Sequence, residues 1–308
     1  MMKSEKIDLI YIASTGRSGS TLLEILLDSF GSIWTLGEIY VLPWEIEKNK
    51  GTCGCGKKLN DCEFWAPIIS RFKTLLELNG NIHRFRDDYS VSKFFRFGEL
   101  INILLGKKMS DTQSLIDFCS ANRKLLSAVK KESSAYKNTE MSYLVDSSKI
   151  FYRLFWLIQC NSISIKVIHI TKDPRSFVYS KIKNEKLFLK KLLKAFRMSL
   201  RYTTENQLIE RVLRNIPKEN ALFIRYEDLA THPEKKLEEI ACWLNLKYEP
   251  GTIMDFRSKK NHGIAGNIMR QGTQGVYLDE KWRINLSSVL KYLVILLTYF
   301  KAKKYSYL

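Results

Sequence analysis

The sequence predicts an α/β fold: a mainly parallel central sheet covered by helices, with a helical insertion at about residues 67–140 of a single domain spanning 1–308. Three observations predict it. Short apolar runs alternate with helical patterns, the sign of a parallel sheet with helical crossovers. The first run passes through a glycine-bearing turn directly into a helix. Several later runs end in polar, cation-bearing segments, at the strand ends where open α/β sheets place ligands.

The first run, Ile7 to Ala13, reads as a buried strand, and Leu22 to Leu27 as the following helix. Between them lies Ser14-Thr15-Gly16-Arg17-Ser18-Gly19-Ser20-Thr21. Such a turn aims backbone N–H groups outward at a helix N-terminus, a geometry that binds phosphate or sulfate. Gly16 and Gly19 allow close approach, Ser18, Ser20 and Thr21 add hydroxyls, and Arg17 adds a permanent charge with a planar donor fork. Aligned with the nucleotide-binding pattern G-x-x-x-x-G-K-[ST], Ser20 replaces the lysine and Ser14 the first glycine, which disfavours an ordinary ATP or GTP site. A turn that merely caps a helix is the bland alternative.

The first helix ends near Phe30-Gly31, and Gly37-Glu38 follows on a segment returning from it. Glu38 is either a solvated loop residue or a base facing the anion loop. Residues 67–131 read as mostly helical, with apolar steps over Ser92 to Leu105 and Ser114 to Val129, and suggest a lid or acceptor-binding subdomain. Met141 to Asp146 restores a strand and leads into Ser147-Ser148-Lys149. Capping of a helix over Ile150 to Cys160 by Asp146 or Ser147 explains this tetrad except for Lys149.

Ile165 to Thr171 is a further strand, in which His169 reads as a core residue. Lys172-Asp173-Pro174-Arg175 then starts a helix, with Ser180 eight residues after Lys172. A cation at the strand end and a hydroxyl two turns along can converge on one phosphate. Helices over about Glu185 to Leu200 and Tyr202 to Asn215 follow. Leu187, Leu189, Leu192 and Leu193 beside Lys186, Lys190, Lys191 and Lys194 form an amphipathic face, solvated or lying on a membrane surface. Ala221 to Ile224 is another strand, followed by Arg225-Tyr226-Glu227-Asp228-Leu229 and a helix opened by Pro233. Lys259 to Arg270 reads as a basic loop that could order around an anion. Val289 to Phe300 reads as a core-packed helix, or else an interfacial anchor.

The net charge of +18 favours anionic ligands or lipid headgroups over neutral ones; no recognised nucleic-acid module accompanies it. Met1 to Lys6 lacks the apolar core of a signal peptide, so a cytoplasmic protein is expected, with peripheral membrane contact through the basic helices and the C-terminal tail. Of six cysteines, Cys119, Cys160 and Cys242 read as core residues. Cys53, Cys55 and Cys62 could form a metal knuckle only with a fourth ligand from elsewhere, and a disulfide is disfavoured inside a cell. No metal ligand is assigned.

Together these elements resemble the sulfotransferases that use 3′-phosphoadenosine 5′-phosphosulfate (PAPS), in particular the bacterial carbohydrate-type branch and the related protein-tyrosine sulfotransferases. The likeness runs from Ile7 to about Arg270 and is weakest over Pro67 to Glu140. Thr15 to Thr21 looks like the family's 5′-phosphosulfate loop, and Lys172 to Ser180 like its 3′-phosphate element. Arg225 to Leu229 resembles a segment near the adenine, and Asn267 and Arg270 the late Gly-Asn-x-x-Arg loop. Cys53 to Trp65 is similar to a loop of bacterial members. The resemblance implies a P-loop-like three-layer fold. It also implies Glu38, 21 residues after Arg17, as the base, with Arg17 and Lys149 stabilising the transferred group. Lys172 departs from the usual arginine, keeping the charge but losing the bidentate fork, so Arg175 or Arg270 could assist it.

The expected reaction is in-line sulfuryl transfer from PAPS to an acceptor hydroxyl on a carbohydrate or lipid-linked sugar. It releases 3′-phosphoadenosine 5′-phosphate (PAP) and needs no metal. The alternatives are a nucleotide kinase or NTPase, and a non-catalytic basic module binding nucleic acid or anionic membrane.

Overall fold

The computed structural model describes residues 6–48, 51–77, 97–107, 112–251, 253, 256, 260–265 and 275–308. The chain begins with β1 (Ile7–Ala13), α1 (Ser20–Asp28), β2 (Ile33–Gly37) and α2 (Leu42–Lys48). Three helices follow: α3 (Trp65–Glu77), α4 (Phe97–Leu105) and α5 (Thr112–Lys137). The sheet resumes with β3 (Tyr143–Asp146), α6 (Phe151–Leu157), β4 (Ile163–Thr171), α7 (Pro174–Ile182) and α8 (Phe188–Leu213). Last come β5 (Ala221–Arg225), α9 (Tyr226–Thr231), α10 (Pro233–Leu244), α11 (Lys281–Asn285) and α12 (Ser288–Lys304).

The strands form one parallel sheet in the order β2-β3-β1-β4-β5. Successive side chains of a strand point to opposite faces, and β1 buries both sets. Leu9 and Tyr11 join Leu144 and Val167 under Ile68, Phe118, Leu125 and Phe155. Ile10 and Ile12 join Val145, Ile168 and Ile170 under Leu22, Leu26, Leu237 and Ile240. Residues of the expected insertion thus share the core of the sheet's first face. A third cluster joins α7, α8 and α12 through Phe177, Tyr202, Leu290 and Val294.

The registers Tyr11↔Asp146, Gly37↔Asp146, Ala13↔His169 and Thr171↔Arg225 bring the strands' C-terminal ends to one edge. The residues that follow them, the 14–19 turn, Glu38, Ser147 to Lys149, Lys172 and Tyr226, are therefore neighbours despite their distance in sequence.

Several expectations are corrected. The segment returning from α1, Ile33–Gly37, is a strand at the sheet edge, not assigned as one from the sequence; pairing with β3 supplies the order its few residues do not encode. α8 runs unbroken through Arg201; Ala195 and Tyr202 pack with α7 and α12, while Ile209 and Val212 join the core of the sheet's first face. The Asp146 and Ser147 side chains do not cap α6, whose N-cap Ile150 has no side-chain bond. Asp146 instead accepts from the Ser148 N–H at 2.9 Å and pairs with buried Arg153 at 2.7 Å. Ser147 donates to Glu24 at 2.5 Å. Cys119 and Cys160 are joined in a disulfide, their Cα atoms 5.3 Å apart, and Cys242 is exposed. α12 packs Leu290, Val294 and Ala302 inward yet leaves Val289, Tyr292, Leu296 and Phe300 exposed. Among the described residues, no helix is long and apolar enough to cross a membrane.

Candidate active site

The turn after β1 needs left-handed backbone at Arg17 (φ 78°) and Gly19 (φ 87°). Glycine accepts this freely; a non-glycine residue there costs about 1–3 kcal/mol and persists only where its surroundings demand it. Lys149 has the same property, at φ 65°. The two strained cations face one cleft. Gly19 also permits a contact that no other residue allows: a Cβ would collide with the Tyr226 ring. Thr15 and Ser18 are buried and share a 2.6 Å hydrogen bond between their hydroxyls, so they brace the turn from behind. Gly16, Arg17, Gly19, Ser20 and Thr21 line the cleft. The Ser14 hydroxyl at the start of the turn is buried and has no hydrogen-bond partner among the described residues.

Glu38 follows Gly37, whose left-handed φ of 75° lets the backbone of Ile264 approach. Ile264 bonds both sides of that glycine: its N–H donates to Leu36 O at 2.9 Å, and its carbonyl accepts from the Glu38 N–H at 2.8 Å. The Glu38 carboxylate receives the Lys149 ammonium at 2.7 Å, both side chains mostly buried. A carboxylate so held can take a proton from a hydroxyl while the ammonium beside it meets developing negative charge.

The far side of the cleft is built by β4 and α7. Lys172 is buried, with its ammonium over the Tyr226 ring at 4.3 Å. Burial pushes the pKa of Lys172 down and that of Tyr226 up to about 12. The Ser180 hydroxyl donates to Phe177 O at 2.7 Å and lines the cleft. Arg175 does not assist Lys172. It pairs with Asp173 at 2.6 Å, stacks over Trp282 at 4.6 Å and lies outside the cleft wall. Asn267 and Arg270 lie outside the described residues.

The cleft encloses about 1080 Å³ and adds three cations not singled out from the sequence: Lys181, Lys183 and Arg201. Lys181 stands over Gly16, its ammonium 3.9 Å from where a Cβ would lie. Its pKa is lowered by burial and by Arg201 and Arg17 nearby. The dense charge from Lys181 to Arg201 was the available signal, but only the packing of α7 on α8 decides which cations turn inward. Neither His169 nor His262 lines the cleft. His169 is in the core, bonded to Asn206 at 3.1 Å and kept neutral by burial, its pKa lowered to about 4. His262 faces Cys53 and Cys62.

A family model described as the sulfotransferase family matches residues 9–250. The chain belongs to the sulfotransferase family. No curated protein sequence matches it. Solved structures share the fold of this sulfotransferase at low identity. The sulfotransferase domain of the Synechococcus PCC 7002 olefin synthase is 19% identical over 98% of this chain and 97% of its own, with a TM-score of 0.54. The sulfotransferase domain from the curacin biosynthetic pathway is 18% identical over 96% and 99%, with a TM-score of 0.52. The sulfotransferase STF9 of Mycobacterium avium is 12% identical over 97% and 76%, with a TM-score of 0.51. Membership makes the chain a sulfotransferase enzyme with a P-loop-like fold and sets aside both the nucleotide-phosphotransferase and the non-catalytic readings.

Proposed function

We propose that this sulfotransferase moves a sulfuryl group from PAPS to a hydroxyl of a carbohydrate or lipid-linked sugar, with Glu38 as general base. The observation that carries this reading is the Glu38–Lys149 pair, 2.7 Å apart, in the same cleft as Arg17 and the glycine turn. The cleft suits a nucleotide charged at both ends: cations stand at each side, and Gly19 lets the turn pack directly against the Tyr226 ring.

In this reading the turn N–H groups, Ser20, Thr21 and Arg17 hold the 5′-phosphosulfate, with Thr15 and Ser18 fixing the turn. Lys172 and Ser180 hold the 3′-phosphate, and Tyr226 flanks the nucleotide. Glu38 accepts the hydroxyl proton as the new S–O bond forms. Lys149 and Arg17 stabilise the negative charge that gathers on the leaving oxygen, where fixed donors lower the barrier without reorganising. Positioning and charge stabilisation then carry most of the catalysis, as in phosphoryl transfer; no metal is assigned to the step.

The reading includes work at an anionic membrane face. Leu189, Leu193 and Phe196 are exposed on α8 beside a run of lysines, which suits lipid-linked acceptors. Titration calorimetry with PAPS, PAP and ATP tests the donor; selective binding of the first two is expected, and ATP binding equal to PAP would overturn it. Mass spectrometry of candidate glycans for the mass of one sulfuryl group tests the acceptor.

A further inference from the structure

Outside the cleft, four metal-binding side chains converge. Cys53, Cys55 and Cys62 come from the loop between α2 and α3, and His262 from the segment paired with β2. One ligand atom from each lies within 4.8 Å of all the others. We propose that these residues bind one structural zinc ion that staples the two segments together beneath Glu38.

The geometry is that of a tetrahedron with room for a single ion. With Zn–S near 2.3 Å and Zn–N near 2.0–2.1 Å, a tetrahedral site puts its sulfurs about 3.8 Å apart and sulfur about 3.5 Å from nitrogen. Here Cys55 and Cys62 sulfurs are 3.8 Å apart, and His262 Nδ1 is 3.5 Å from the Cys53 sulfur and 3.3 Å from that of Cys62. A multi-iron cluster spreads its thiolates over several metals and would not gather them so tightly. Three sulfurs with one imidazole, four ligands in all, is the closed set of structural zinc sites.

The surroundings are built for the same purpose. Cys53 and Cys62 are buried and Cys55 is half-buried. The loop turns tightly through Cys53-Gly54-Cys55-Gly56, with Gly56 N–H on Cys53 O at 2.9 Å and Gly56 in the left-handed region. Cys62 stands just before α3, its carbonyl accepting from the Ala66 N–H at 2.8 Å. The other imidazole nitrogen, Nε2, lies 3.1 Å from the Tyr136 hydroxyl, the partner that fixes a ligating histidine's tautomer and ring plane. Trp34 stacks on the ring, and Trp65 donates to His262 O at 2.6 Å.

The consequence reaches the cleft. His262 is two residues from Ile264, which holds the backbone of Glu38 and bridges to Cys53. A set of four protein ligands leaves no position for substrate, so the ion positions Glu38 and does not touch the reacting atoms.

Elemental analysis of the full chain purified without chelator, with Zn K-edge absorption on the same sample, tests this directly. The expected result is about one zinc per chain with a shell of three sulfurs and one nitrogen. Less than a tenth of that after incubation with zinc salt under reducing conditions, or a native disulfide among Cys53, Cys55 and Cys62, overturns it. Tyr136→Phe should keep the fold and bind zinc about 10- to 100-fold more weakly by competition with a chromogenic chelator. His262→Cys should retain zinc with a four-sulfur shell. Unchanged affinity in the first, together with unchanged spectra in the second, would place the metal elsewhere and sink the proposal. Because the readouts are metal content and coordination, they stand whether or not Glu38 is the base.

Discussion

At the residue scale, the proposed chemistry rests on two charged side chains held at 2.7 Å. Removing a positioned base typically costs about 10²- to 10⁴-fold in rate. Glu38→Gln is expected to lose turnover on that scale while PAP affinity, read by calorimetry, stays near wild type. Lys172 supplies a different test. Burial lowers its pKa, so its positive charge is complete at low pH and is lost earlier than that of a free lysine as pH rises. PAP affinity should therefore fall on the alkaline side. Lys172→Arg should flatten that decline, because a guanidinium stays charged throughout. A decline of equal steepness in both proteins would mean that Lys172 does not meet the 3′-phosphate.

At the element scale, the site is made by the meeting of a turn, a strand end and a helix start. Gly19 shows how tight the meeting is. Its φ of 87° and the Tyr226 ring against it leave no place for a methyl. Gly19→Ala should destabilise the protein by about 1–3 kcal/mol and should weaken PAP binding more than it lowers Tm-derived stability, since the turn itself carries the N–H donors. Thermal denaturation with and without PAP separates the two effects. The turn was legible in the sequence because glycines and hydroxyls stand between an apolar run and a helix. The strain at Arg17 and Lys149 was not, since lysine and arginine carry no local signal for left-handed backbone. β2 was missed for a related reason: it is a short edge strand whose order comes from β3 and from Ile264 on its other side.

At the scale of the whole molecule, polar groups placed deep in the fold tie stability to pH. His169 has a folded pKa of about 4, below the roughly 6.5 of an unfolded chain. Between those values the unfolded state binds a proton that the native state refuses. The stability His169 contributes is thus fully present above pH 6.5 and lost as pH falls toward 4, by on the order of 3 kcal/mol. Urea denaturation across that range should show the loss, and His169→Gln should reduce its slope. The charge of +18 acts at the same scale: part of it lines the cleft, and α8 carries part outward beside exposed leucines.

Periodicity and punctuation in the chain determined most strands, the anion turn and the helix starts, because backbone propensity and hydrophobic alternation are local quantities. The family resemblance added Glu38 as a candidate, and the cysteine spacing marked three ligands in search of a fourth. Which groups meet was decided only by the tertiary structure. Parallel register of β2 and β3 places Glu38 against Lys149 across 111 residues, and an antiparallel bridge of Cys53 to Ile264 brings Cys53 against His262 across 209. No local property of either segment encodes such a contact; it follows from how the sheet orders its strands and packs both faces.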